Sequence, residues 1–414
     1  MRILLLTHYW APETGAPQMR WGWLARGLVR RGHELAVLAP PPHYPTGRLL
    51  DADPRHAPGA VHRDPSGAMI HRTAFRPYDV GLGGRGADQA VAAADALKLG
   101  LRRFTGSQRP DVVVGTVPGL PTLPAALMLG RVLRRPVVAE LRDAWPDILD
   151  SASSWAGGDA PGLRRRALAA ARGTVPGAIT HLERQADAVV TTTESFAQAL
   201  RERGLGHVVT VRNAPAAPVA ALPPVPGSRA DGALRVLYLG TVGRAQGLDS
   251  AVRAAALAAQ RGTHVMLRIV GDGAQAAAVR AEATRLDAPV QVLEPVPVER
   301  VGEQYAWADT VLVSLQDWPA MSLTVPSKLY ELLATGRHIS GAVAGEAAAI
   351  VRESGAGDIV APQDPQALAA LWTELAADRS RLAPASGSLW LDEHARKEDL
   401  VSRYESLLEG VTGA

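Results

Sequence analysis

The chain has 414 residues, 47% of them hydrophobic and 21% charged, with a mean hydropathy near zero. This is the profile of a soluble globular chain with core enough for two or three domains, and it excludes a disordered one. The absence of cysteine excludes disulfides, cysteine-held zinc clusters and a cysteine nucleophile, and a formal charge of +3 is too small to argue for nucleic acid, though it can attract nucleotide phosphates or an anionic membrane surface.

The first apolar run, Ile3-Leu4-Leu5-Leu6, ends at Thr7-His8 and is too short for a signal peptide, so it reads as a buried first strand. No run of about 18 apolar residues follows, so no membrane span is expected and the protein is expected in the cytoplasm. Further strands are predicted over 34–38, 112–114, 137–140 and 188–191, with helices over 18–31, 87–103 and 121–133. This alternation predicts a parallel sheet with helices on both faces. Residues 40–77, rich in Pro, His and Arg, read as a long loop or a small β insertion, and 151–177 as a second irregular stretch.

The pattern breaks near Asn213-Ala214-Pro215, and a Pro/Ala-rich linker follows. A second β-α series has strands predicted over 235–239, 266–270, 290–293, 310–314, 338–341 and 357–360. The expected division is 1–212, a linker over 213–231, a second domain over 232–388 and a terminal helix over 389–414. Of 44 Lys and Arg residues only Lys98, Lys328 and Lys397 are lysine, and Asn213 is the only asparagine. That bias suits a high-GC bacterial genome and makes Lys328 stand out.

Candidate site residues fall where ligands bind in open α/β sheets, at the carboxyl ends of strands. After the first strand, Gly15-Ala16 precedes a helix and would let a phosphate approach backbone N–H groups; the alternative is an ordinary loop. The loop lacks the G-x-G-x-x-G of a dinucleotide site, which disfavours a Rossmann oxidoreductase. At the end of the fourth strand, Glu140-Leu141-Arg142-Asp143 could position a sugar or form a buried ion pair. In the second half, Gly240, Gly243, Arg244 and Gln246 suit a pyrophosphate grip, and Gly271-Asp272-Gly273 forms a tight turn next to the same donor crevice. In Val325-Pro326-Ser327-Lys328-Leu329-Tyr330-Glu331, Lys328 and Glu331 share a helix face. Lys328 and the free N–H groups there could hold phosphate and Glu331 a ribose; spacing alone favours a surface Lys–Glu pair.

As an ordered set, His8-Tyr9-Trp10-Ala11-Pro12-Glu13, Arg31-Gly32-His33-Glu34, Leu141 to Pro146, Val211-Arg212-Asn213, Gly243 to Leu248 and Val325 to Arg337 resemble the family 4 glycosyltransferases of the GT-B fold. Within them the chain resembles the bacterial O-antigen and colanic-acid fucosyl- and N-acetylfucosaminyl-transferase branch. The resemblance implies two doubly wound Rossmann-like domains facing a central cleft, with the terminal helix, amphipathic over 390–410, crossing back toward the first. It also implies retaining, metal-independent transfer from a nucleotide-sugar held mainly by the second domain, with no cofactor. Glu331 matches the acid that holds the ribose, Ser327 and Lys328 an element near the diphosphate, and Gly15 the glycine loop facing it. The family's first motif acid would fall at Leu323, and its Arg…Lys diphosphate pair at Thr241 and Gln246; none of these is charged. Lys328 and Arg244 are therefore expected to neutralise the diphosphate. Arg142 stands where the family often has a catalytic His, beside Asp143. His338 stands where Pro is common and is given no role.

The acceptor is left open between a glycan, a lipid-linked sugar and a secondary metabolite. Arg102-Arg103-Phe104 and residues 163–172 mix basic and apolar groups as peripheral membrane contacts do, or are solvated helix faces. Two other readings stand beside transfer: a nucleotide-sugar epimerase of the same fold, and a non-catalytic nucleotide-sugar-binding protein.

Overall fold

The computed structural model describes residues 1–44, 46–79, 82–148, 175–215, 222–383 and 386–413. Among these, 1–148, 175–215 and 396–413 form one compact unit, and 222–383 with 386–395 a second.

The first unit begins β1 (Arg2–Leu6), α1 (Ala16–Arg30), β2 (Glu34–Ala39), β3 (Val61–Arg63), β4 (Met69–Arg72) and α2 (Leu82–Arg103). It continues with β5 (Val112–Val117), α3 (Thr122–Leu133) and β6 (Val137–Leu141), a helix through 175–183 (α4), then β7 (Ala188–Thr191), α5 (Glu194–Glu202) and β8 (Val208–Thr210). The sheet order is β3-β4-β2-β1-β5-β6-β7-β8, and only the β3–β4 pair is antiparallel. Ile3 to Leu6 and Val112 to Val114 are buried, as central strands covered on both faces require. The irregular 40–77 stretch contains the β3–β4 hairpin, whose second strand pairs parallel to β2.

The second unit runs β9 (Leu234–Leu239), α6 (Leu248–Gln260), β10 (Val265–Val270), α7 (Ala276–Arg285), β11 (Val290–Leu293), α8 (Val301–Trp307) and β12 (Thr310–Ser314). After these come α9 (Pro319–Ser322), α10 (Ser327–Thr335), β13 (His338–Ala342), α11 (Gly345–Glu353), β14 (Gly357–Val360), α12 (Pro365–Ala377) and α13 (Gly387–His394). Its sheet is parallel throughout, ordered β11-β10-β9-β12-β13-β14. His338 is buried in this sheet, where its Nδ1 lies 2.8 Å from Thr310 Oγ1 and its Nε2 3.0 Å from Asp358.

Two boundaries differ from the sequence expectation. The amphipathic terminal stretch is two helices, α13 and α14 (Lys397–Thr412), separated at Ala395-Arg396. Trp390 and Leu391 of α13 are buried in the second unit, whereas Leu400, Val401 and Tyr404 of α14 are buried in the first. One apolar stripe thus serves two cores, which periodicity does not reveal. The end of the expected linker is fixed to the second unit. Arg229 places Nη2 2.6 Å from the buried Asp309 carboxylate, and Arg379 Nε donates to Pro226 O.

One buried ion pair organises the first unit. Arg20 Nε of α1 donates to Glu140 Oε1 of β6 at 2.9 Å, and Trp21 Nε1 donates to Glu140 Oε2 at 2.6 Å. Arg20 Nη1 donates to Arg212 O and Asn213 Oδ1, and the Trp21 ring meets Tyr404 of α14 edge-on at 5.7 Å. Of the two readings open for Glu140, the structure shows the buried pair. Removing one partner strands the other as a buried charge. Glu140→Leu is therefore expected to lose about 3–5 kcal/mol in denaturant unfolding, and Arg20→Met/Glu140→Leu to recover most of it. A single-variant loss under about 1 kcal/mol would contradict this role.

Candidate functional site

In the second unit the site is built from the loops after β9 and β10. Gly240 N–H donates to Val270 O at 3.0 Å, Val242 N–H to Asp272 O at 2.9 Å and Gln275 N–H to Val242 O at 2.9 Å. The two loops are thereby joined backbone to backbone. Gly271 has φ +151°, and a Cβ there would lie 1.8 Å from Gly240 O; at Gly273, φ +156°, it would lie 2.5 Å from Val242 O. Gly271 and Gly273 are thus required by loop-on-loop packing, a role the sequence reading did not give them. Gln246 folds back on its own loop, where Oε1 accepts the Gly243 N–H at 3.1 Å. Its amide oxygen is committed to the turn that holds Gly243.

Helix α10 brings Ser327, Lys328 and Glu331 beside this platform. Its apolar stripe, Leu329, Leu332 and Leu333, is at most 1% exposed, so the opposite side is left half-buried. The Lys328 stem passes Gly240, its Cδ 4.0 Å from where a Cβ would stand. Lys328 Nζ lies 3.8 Å from Glu331 Oε2. Burial lowers the Lys328 pKa, against the opposing pull of Glu331. Gly240, Ser327, Lys328 and Glu331 therefore form one cluster. Arg244, with Gly243 and Gly247, lines a cavity of about 610 Å³ beside α6, whose lining does not include Gly240, Ser327, Lys328 or Glu331.

In the first unit, Gly15 caps α1 in extended conformation and Ala16 opens the helix, with no side chain capping the free N–H groups. The preceding loop is held by Glu13, which accepts Gln18 Nε2 at 2.7 Å and the main-chain N–H groups of His43 and Tyr44 at 2.8 Å each. At the end of β6, Arg142 Nε donates to Val117 O at 3.0 Å, and Nη1 and Nη2 are buried with no hydrogen-bond partner. Burial lowers the Arg142 pKa and raises that of Asp143, whose shift Arg142 opposes. Phe104 of the basic-apolar patch is buried with its ring against His71, so that patch offers no exposed aromatic. Residues 163–172 lie outside the described residues. Among those described, no helix is long and apolar enough to cross a membrane.

The sequence reading did not single out a buried cluster of His8, His43 and Asp88. His43 Nε2 lies 2.8 Å from Asp88 Oδ2 and Nδ1 2.6 Å from Pro41 O; His8 Nε2 lies 3.2 Å from the same carboxylate oxygen, outside hydrogen-bond geometry. Asp88 Oδ1 accepts the Arg76 N–H. Their ligand atoms lie within 4.8 Å of one another, the spacing of a metal site. Both His43 nitrogens, however, face acceptors, which an imidazolium satisfies without a metal. Burial opposes that charge, but the Asp88 hydrogen bond and then the Pro41 carbonyl raise the His43 pKa. Burial also works against the Asp88 charge, and the hydrogen bond from His43, the nearby His8 ring and the Arg76 N–H outweigh it and lower its pKa. These residues are scattered through the chain, and no spacing announces them.

Residues 15–214 match a family model described as glycosyl transferase 4-like domain, and 233–378 one described as glycosyl transferases group 1. No curated protein matches. Among solved structures, the chain is similar to sucrose-phosphate synthase from Thermosynechococcus elongatus, at 14% identity and TM-score 0.75 over 100% of this chain and 99% of that one. HepE of Anabaena, solved with UDP-glucose, matches at 15% identity and TM-score 0.63 over 100% of both chains. WaaG, a glycosyltransferase involved in lipopolysaccharide biosynthesis, matches at 14% identity and TM-score 0.59 over 100% of both. At these identities the structural likeness establishes the fold, two Rossmann-like α/β domains of GT-B type.

A raised histidine pKa contributes stability that is complete below the unfolded value of 6.5 and is lost as pH rises through the folded value. The parent protein should therefore lose melting temperature relative to His43→Gln as pH is raised from about 6 to 9. Parallel curves for the two proteins would remove the imidazolium assignment.

Proposed function

The chain belongs to the glycosyltransferases, its first unit matching the 4-like and its second the group 1 domain type, and from that premise we propose retaining, metal-independent transfer from a nucleotide-sugar bound by the second unit. One observation carries the reading: Lys328 lies along Gly240 at the end of β9, with Glu331 one turn further on the same helix face. Glu331 accepts the ribose hydroxyls. Lys328, Ser327 and the free N–H groups opening α10 take the diphosphate, where helix N-termini favour anions.

Transfer on one face needs no carboxylate nucleophile. The bond between the sugar C1 and the phosphate oxygen breaks as the acceptor oxygen bonds to C1, and the acceptor proton passes to the departing phosphate. Negative charge grows on that phosphate, and Lys328, made less basic by its half-buried setting, stabilises it there more than in the ground state. In the first unit, Arg142 has two buried N–H-bearing nitrogens without partners, a seat for an acceptor oxygen, with Asp143 beside it. The acceptor is a glycan, lipid-linked sugar or secondary metabolite.

Lys328→Ala should lower kcat about 10²–10³-fold with donor affinity nearly kept, while Glu331→Ala should mainly weaken donor binding. Full turnover by Lys328→Ala, with only donor affinity lost, would exclude its part in catalysis. The anomeric configuration of the product by NMR, and the rate with chelator present, test retention and metal independence.

A further inference from the structure

We propose that the cavity beside α6 is a subsite for a neutral oligosaccharide, the non-reacting part of a glycan acceptor; the inference rests on the transferase reading above. The cavity lies wholly within the second unit and holds about 610 Å³, inside the roughly 300–1,000 Å³ of ligand pockets. Gly240, Lys328 and Glu331 do not line it, so it is distinct from the donor cluster.

Its lining suits a sugar. Half-buried Trp318 offers an aromatic surface, and Gln275, Gln316 and Gln363 each offer an amide. An amide side chain both donates and accepts, as a sugar hydroxyl does, and the electron-rich face of an indole attracts the C–H face of a pyranose. The wall sets Asp249 and Glu282 against Arg244 and Arg253, so its formal charges cancel. Arg253 pairs with Asp249 at 3.3 Å and with Glu282 at 2.9 Å. Asp249 stands in the first turn of α6 and opposes an anion at that helix end, which disfavours a second phosphate site.

The amides are also held in place. Gln316 N–H donates to Ala245 O at 2.8 Å, and its side-chain amide lies against Gly247, where a Cβ would stand 3.3 Å from Cδ and Nε2. Gln363 has φ +55°, uncommon for a residue with a side chain, and its Oε1 accepts the Asp317 N–H at 3.2 Å. Such a conformation persists where surrounding structure enforces it, often at ligand sites. The Gln275 N–H is bonded to Val242 O at 2.9 Å. The loops that form the cavity are thus tied to the loop that holds Gly243.

The test is titration of the whole protein with neutral malto-, cello-, chito- and galacto-oligosaccharides, followed by saturation-transfer NMR and calorimetry. At least one series should bind, and Trp318→Ala and, separately, Gln316→Ala should weaken it about tenfold or more. Affinity for UDP, GDP or dTDP, whichever binds the parent most tightly, should change less than about twofold, which also reports that each variant is folded. If Trp318→Ala fails that control, Gln316→Ala and Gln363→Ala carry the test. Binding by no series, or equal binding by the folded variants, overturns the subsite and leaves the transferase reading standing. Loss of the transferase reading would show instead in Lys328→Ala, with oligosaccharide binding unchanged.

Discussion

The first unit depends on one buried charge pair. Glu140 and Arg20 are both almost fully removed from water, and each is tolerable only because the other neutralises it. Their hydrogen bonds reach four places in the chain: α1, β6, the Arg212-Asn213 segment that leaves the unit, and through Trp21 the Tyr404 ring of α14. Fixing α1 against β6 also fixes Gly15 at the helix start and Arg142 at the strand end. The groups this unit offers for chemistry are positioned by this pair.

The second unit solves the same problem without charge. Its loops after β9 and β10 approach until only glycine fits at 271 and 273, and three backbone hydrogen bonds hold them together. That surface supports the Lys328 stem. A cation beside a strand end, with a carboxylate one turn away, suits the diphosphate and ribose proposed above. The uncharged Thr241, Gln246 and Leu323 become intelligible in part: Gln246 serves the turn at Gly243, and Lys328 remains the cation beside Gly240.

Much of this was legible from pattern. Strand and helix positions followed from short buried apolar runs alternating with 3.6-residue periodicity, because a parallel sheet covered on both faces leaves that signature. The association of Lys328 with Glu331 followed from a spacing of three on one helix. Gly271 and Gly273 were legible as a tight turn, but their contact with the loop after β9 was not. A glycine admits a close approach without saying whether a phosphate or a peptide group makes it, and here peptide groups do.

The sequence by itself determined the alternation of elements, the two-part organisation and the face that Lys328 shares with Glu331, since each depends on residues near one another in the chain. Tertiary structure alone decided the pairings between charged residues distant in sequence. Glu140 meets Arg20 across 120 positions, and His43 meets Asp88 across 45. It also decided that 390–410 divides between two cores, and that Arg244 lines a cavity while Lys328 lies against Gly240. The physical reason is the same in each case. Periodicity records which side of an element avoids water, whereas charge pairing, backbone contact and cavity shape arise only where elements distant in sequence are brought together.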